Sequence, residues 1–356
     1  MSLRAVVLSL SSLLITLSLL PAETLSPKRQ KEAAKMLKST DANQRRVAYQ
    51  ALAQMGDPEQ GALANLLDEA EQHHRKRLNT GLGKVAAKVA GFEEAHQAWQ
   101  AHVEKTLEKG RQNLGKDNSA IKQLDSMMVR AQRLHRTLVK EVAPLGPLWK
   151  ALAEQGRIVQ EIRLEAASLA VEGELEGVPL EQLYRESTHG ETVAVTHEHW
   201  KALQAQLDSA AAAQAFNAKD ARWPERPQRA LAHRINLDRH ALGLPALFLQ
   251  KQLSAASEGH SEEMKRLSYF SHDSPTPARA TPWMRADLAD YQDKARGENI
   301  YEGNASPDAA YEAWWRSDDH RKIMLMDGAN HLGAGLVSKH WTMMMGQGIV
   351  PSLVEE

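Results

Sequence analysis

From Lys28 to about Gln214 the apolar residues return at steps of three and four, and the interruptions are Gly and Pro. Such a chain can build helices and little else. Ala33, Met36 and Leu37 start the pattern, and Val47, Ala48, Leu52 and Met55 continue it to a break at Gly56-Asp57-Pro58. Leu63, Leu66, Leu67 and Ala70 resume it. Residues 30–70 read as one HEAT-like helical unit, but a solenoid needs at least three repeats, so a helical bundle is the expectation for 28–214. Within it, 84–142 predicts one or two long helices, Pro144-Leu145-Gly146-Pro147 a turn, 148–172 another helix, and Pro179 to Tyr184 a short one. An Ala-rich run from Ser209 to Ala215 leads into a linker at 215–228, marked by Pro224, Pro227 and mixed charge.

Beyond that linker the composition changes. Five of the eight Trp (223, 283, 314, 315 and 341) lie from the linker onward, with glycines at irregular spacing. That mixture predicts α and β structure with specific packing, and any chemistry belongs there. Ala230 to Leu242 reads as a helix with Gly243 as its C-cap and Pro245 beyond. A second helix is predicted from about Phe248 to Leu267, with Leu249, Leu253, Ala256, His260, Met264 and Leu267 on one stripe. That stripe buries His260 as a hydrogen-bonded core histidine. Gly297 to Gly303 reads as extended, and Ser306-Pro307-Asp308 opens a helix carrying Ala310, Ala313 and Trp314. Ser317 opens another, with His320 in its first turn, where the helix dipole favours a neutral imidazole. Leu332 to Leu336 alternates as a strand whose glycines admit a closely packed helix, and Trp341 to Met345 returns antiparallel.

At the other end, Arg4 precedes the apolar stretch Ala5 to Leu20, and Pro21-Ala22 follows; residues 1–22 read as a secretory signal peptide. Sixteen residues are short for a span of about 20, so no stable membrane span is expected after cleavage, with an uncleaved anchor as the alternative. The expected location is secreted or periplasmic. There is no cysteine, which excludes disulfides, Cys zinc sites and thiol nucleophiles. Lys plus Arg number 44 against 45 Asp plus Glu, and a net charge of -1 argues against nucleic acid as a partner. His73-His74 and the pair His197 and His199 read as solvated histidines on polar helical surface rather than metal ligands. No HExxH and no nucleophile elbow occurs.

The ordered set Asn236 with Arg239, Gly243 to Leu247, His260-Ser261-Glu262-Glu263-Met264, Phe270-Ser271-His272, Gly297-Glu298-Asn299-Ile300, Ser306-Pro307, Trp314 with Ser317, His320-Arg321, Gly333-Ala334-Gly335 and Trp341-Thr342 resembles the CAP superfamily (SCP) domain. This is the family of cysteine-rich secretory proteins, antigen 5 and pathogenesis-related proteins, here in its cysteine-free bacterial branch. The resemblance places a CAP/SCP domain at 229–350 and implies an α-β-α sandwich with a small antiparallel sheet, hence α+β overall after a mainly helical N-terminal region. It further implies a cleft lined by two His and two acids, in some members around a divalent cation such as zinc. Carried over by motif, the first His is His272, the first acid Glu298 and the second His His320. The second acid has no match in the pattern; Glu312 and Asp319 are both near, and Asp319 stands where bacterial relatives commonly have Gly. His272, Glu298, His320 and Asp319 are the candidate cleft residues, the first three the candidate metal ligands. Two imidazoles and a carboxylate suit a divalent metal, and a bound zinc would supply hydrolytic chemistry; a polar cluster that merely orders the cleft is the bland alternative.

Three functions stay open on the sequence: an exported, non-catalytic protein binding a small or lipidic ligand, with or without a divalent cation; a metal-assisted extracellular hydrolase of the peptidase kind; and a structural interaction scaffold. In the first, the helical region contacts an extracellular protein partner.

Overall fold

The computed structural model describes residues 26–53, 60–168, 179–218 and 226–350. Residues 1–22, read from sequence as a signal peptide, the break at Gly56-Asp57-Pro58, the segment 169–178 and most of the expected linker, including Trp223, lie outside the described residues. The chain divides into two compact units: residues 1–91 with 143–199, and 92–142 with 200–356. No helix among the described residues is long and apolar enough to cross a membrane.

The first unit is helical. It holds α1 (Pro27–Leu37), α2 (Ala42–Ala53), the start of α3 (Gln60–Arg111), α5 (Gly146–Ser168), α6 (Leu180–Arg185) and the start of α7 (Gly190–Ala218). Ala33, Leu37, Ala48, Leu52, Leu63 and Leu67 close on Ile158 and Ile162 of α5. Two histidines expected on the surface belong to this packing. His74 is 3% exposed, and burial pushes it down to about 4. His197 packs tilted against Trp149, 4.6 Å between ring centroids, and lies 3.3 Å from Glu181. Helical periodicity fixes a face but does not say whether a neighbouring helix covers it.

The second unit contains the remainder of α3 and α7, then α4 (Asn118–Val142), α8 (Arg226–Ala241), β1 (Phe248–Leu249), α9 (Lys251–Leu267), α10 (Pro282–Leu288), β2 (Lys294–Glu302), α11 (Pro307–Trp315), α12 (Asp318–Met324), β3 (His331–Val337) and β4 (His340–Gln347). The fold class is α+β. The four strands run in the order β1-β3-β4-β2. β2, β4 and β3 are antiparallel, and the two-residue β1 joins β3 in parallel, which makes the sheet mixed. Phe248 and Leu249, read from sequence as helix, are that edge strand, and the helix starts at Lys251.

Gly243 takes φ +67°, the left-handed conformation its C-cap role requires, and an added Cβ would meet the Trp99 ring at 2.9 Å. On β3, the two glycines let α9 lie backbone to backbone on the sheet. A Cβ at Gly333 would be 2.3 Å from the carbonyl carbon of Leu253, and one at Gly335 2.2 Å from the amide nitrogen of Glu258. Behind this contact sit Leu253, Ala256 and Met344, and Trp314 and Trp341 are among the largest fully buried side chains. Trp283, on α10, is by contrast 47% exposed. Gly335→Ala should lower the stability of the second unit by about 3 kcal/mol, because the helix backbone cannot yield to the methyl group; urea unfolding measures it.

Candidate functional site

The motif Gly297-Glu298-Asn299-Ile300 is the middle of β2, and its residues face two ways. Gly297 lies under Ile323 of α12, where an added Cβ would come within 3.2 Å. Asn299 Nδ2 donates to the carbonyl of His320 at 3.0 Å, and Trp314 Nε1 donates to the carbonyl of Ile300 at 2.9 Å. One short stretch of strand therefore seats both α11 and α12.

Glu298 is buried, its side chain 1% exposed. Its Oε1 accepts from His272 Nδ1 at 2.8 Å, and its Oε2 accepts from Arg285 Nη2 at 2.8 Å. Arg285, on α10, is itself fully buried and donates also to the carbonyls of His272 (2.9 Å) and Arg279 (2.9 Å). The same cation thus compensates the carboxylate and fixes the loop that carries His272. With its Nδ1 proton on Glu298, His272 presents the lone pair of Nε2. Its side chain is 46% exposed. The His320 ring lies 6.3 Å from it, centroid to centroid. Burial lowers the His320 pKa, the neighbouring His272 lowers it further, and Asp319 opposes both. His320 is therefore the neutral form near neutral pH.

The structure brings His272, Glu298 and His320 to one place. Asp319 does not join them: its carboxylate is 92% exposed and pairs with Lys322 Nζ at 3.3 Å. Glu312 faces Arg316 at 3.3 Å. As the first residues of a short helix, 318 and 319 project differently, and it is Asp318 that turns inward. It accepts from the amides of Leu114 and Gly115 and from Arg321 Nη2. Arg321, fully buried, also donates to the carbonyls of Gly110, Gln112 and Trp315. The helix that carries His320 is thereby fastened to the end of α3 and the turn after it.

Two groups behind the site, Arg285 and Glu263, were not assigned a role from sequence. Arg285 had no motif to mark it. Glu263, the fourth residue of His260-Ser261-Glu262-Glu263, is the second buried acid of the region. Its carboxylate accepts from Tyr269 (2.9 Å), Ser274 (2.7 Å) and Thr276 (2.7 Å). Burial alone would raise its pKa, but these hydroxyls carry it down to about 2. His260 is the core histidine expected: fully buried, with Nε2 3.0 Å from the Ser271 carbonyl. It stands 3.9 Å from Glu298. Burial, the dominant cause, pushes it down to about 4 against the pull of Glu298.

Residues 232–342 match the family model for CAP, the cysteine-rich secretory protein family. The C-terminal third is a CAP domain. Among relatives, the uncharacterized protein YkwD of Bacillus subtilis (strain 168) is 35% identical over 109 residues, 30% of this chain and 42% of that protein. The uncharacterized membrane protein YlbC of the same organism is 29% identical over 167 residues, 46% of this chain and 41% of that protein. The chain spans less than half the length of these curated relatives. A solved extracellular protein containing a SCP domain, from Bacillus anthracis str. Ames, is 31% identical, with 34% of this chain and 40% of that one covered and a TM-score of 0.33. The CAP domain holds its His-Glu cluster without a disulfide, since the chain has no cysteine.

Two tests follow from the geometry. Arg285→Met leaves Glu298 buried without its cation and should cost about 3 to 5 kcal/mol of stability, read as a lowered urea midpoint. His260 has its folded-state pKa depressed from 6.5 to about 4. The unfolded chain therefore binds more protons in that window, and stability falls as the pH drops from 6.5 towards 4. His260→Gln should flatten this slope relative to the unmodified protein, by on the order of 3 kcal/mol across the window; an unchanged slope counts against a neutral, buried His260.

Proposed function

We propose that the chain is an exported binding protein whose CAP domain holds a divalent cation, or the polar group of a small ligand, between His272 and His320 without catalysing a reaction. The observation that carries this reading is the double commitment of Glu298: one oxygen is on His272 and the other on Arg285. A carboxylate so held, with its side chain only 1% exposed, orients an imidazole rather than meeting a water to activate. The donor set fits a cation through His272 Nε2 and His320, with Glu298 behind the first ligand rather than in contact with the ion. A bound zinc would supply Lewis acidity at that point. His272 and His320 position it, and Arg285 keeps Glu298 and the His272 loop in place. Export rests on the charged and apolar pattern of residues 1–22.

Equilibrium dialysis of the purified protein against zinc, calcium and magnesium tests this. Binding of at least one is expected, lost in His272→Ala and in His320→Ala and weakened about 10- to 100-fold in Glu298→Gln. No binding of any of the three at millimolar supply overturns the cation reading. Turnover of peptides or esters by the metal-loaded protein, dependent on Glu298, overturns the non-catalytic one in favour of a hydrolase.

A further inference from the structure

We infer that the first unit carries a docking groove between α3 and α5, and that its partner is an acidic segment of another protein with apolar side chains set among the carboxylates. From Gln72 to Phe92, α3 carries Arg75, Lys76, Arg77, Lys84 and Lys88 and no acid. Arg75 is taken up by Glu71 and Glu186. Lys76, Arg77 and Lys84 are exposed and meet no carboxylate among the described residues. They share one face of the helix and line one wall of a groove of about 630 Å³. His73, on the same wall, registers the positive field there: partial burial lowers its pKa, and Arg77, Lys38 and Lys76 lower it further.

Cations alone would suit any anion, and the opposite wall narrows the choice. Leu148 and Leu152 of α5 form it, with Val85 of α3 at the floor. The helices approach closely because α3 has Gly81 at this level, where an added Cβ would meet Leu152 Cδ2 at 3.0 Å. A chain of phosphates would leave that apolar wall uncovered, whereas a peptide covers it with aliphatic side chains while its carboxylates reach the rim. Arg77 and Lys84 stand about 10 Å apart along the axis, which matches two helical turns or three residues of extended chain in the partner. The groove opens on the flank of α5 turned away from α6. Gly156 meets Leu180, and Ala151, which lines the groove, stands about 140° round the helix from Gly156.

Panning a phage-displayed random peptide library on the full chain tests the inference, because it reads the partner's chemistry without assuming its sequence. Enrichment of peptides rich in Asp and Glu, with aliphatic residues among them, is expected. Synthetic copies should bind in fluorescence anisotropy, and about tenfold or more weakly to Ala151→Trp, which fills the groove from an exposed position of α5. Lys84→Glu should weaken them about fivefold, and copies with Lys in place of the acids should prefer this variant to the unmodified protein. Circular dichroism checks that both variants keep their helices. His272→Ala with His320→Ala should leave the peptides bound as before, which separates this groove from the proposed cation site. No enrichment, enrichment of peptides without acids, or binding indifferent to both groove variants overturns the inference. So does inorganic polyphosphate that binds as tightly as the peptides and is indifferent to Ala151→Trp, which would make the face a bare anion patch.

Discussion

A carboxylate taken out of water must be compensated where it stands, and Glu298 sets that requirement for the whole CAP domain. Its desolvation costs several kcal/mol unless a cation and hydrogen-bond donors meet it. Arg285 and His272 do so, the first from a seven-residue helix and the second from an irregular loop. Arg285 Nη1 and Nη2 also donate to the carbonyls of Arg279 and His272. On the opposite side of β2, Asn299 and the Ile300 carbonyl hold α12 and α11. The position of each imidazole is thus referred back to four consecutive residues of one strand.

The parts of this architecture that depend on local backbone chemistry were legible in the sequence. Gly243 as a C-cap, Pro307 at a helix start, and the alternation of Leu332 to Leu336 against Trp341 to Met345 all occur where expected. The burial of His260 was legible too, because it follows from helical spacing within one element. Of the site, the order of the motifs gave His272, Glu298 and His320, which the fold does assemble. What escaped depends on which element lies opposite. Arg285 looks like any helical arginine until Glu298 is placed 2.8 Å away. Asp318 and Asp319 are adjacent and chemically alike, yet one is drawn inward by amides of residues 114 and 115 and the other is left in solvent. His74 and His197 read as surface because their partners come from other helices of the first unit. Tertiary pairing, not propensity, decides these cases.

The buried arginines of the second unit share a habit. Arg239 sends its guanidinium to the carbonyls of Pro245, Met324, Met326 and Ala329, and Arg321 to those of Gly110, Gln112 and Trp315. Burial alone would make such charges costly, and it lowers the pKa of Arg239 to about 9. The planar fork of donors explains why arginine fills these positions: it collects carbonyl oxygens that helix ends and turns leave without partners.

One of these clamps changes what counts as the domain. The family model matches residues 232–342, yet Arg321 and Asp318, beside the second histidine, are satisfied by backbone at 110, 112, 114 and 115. In this protein the CAP domain is not a portable cassette. Cut out at its family boundary, it would leave behind the backbone that anchors His320, and a grafted or truncated version would keep the signature residues while losing the ground on which one of them stands.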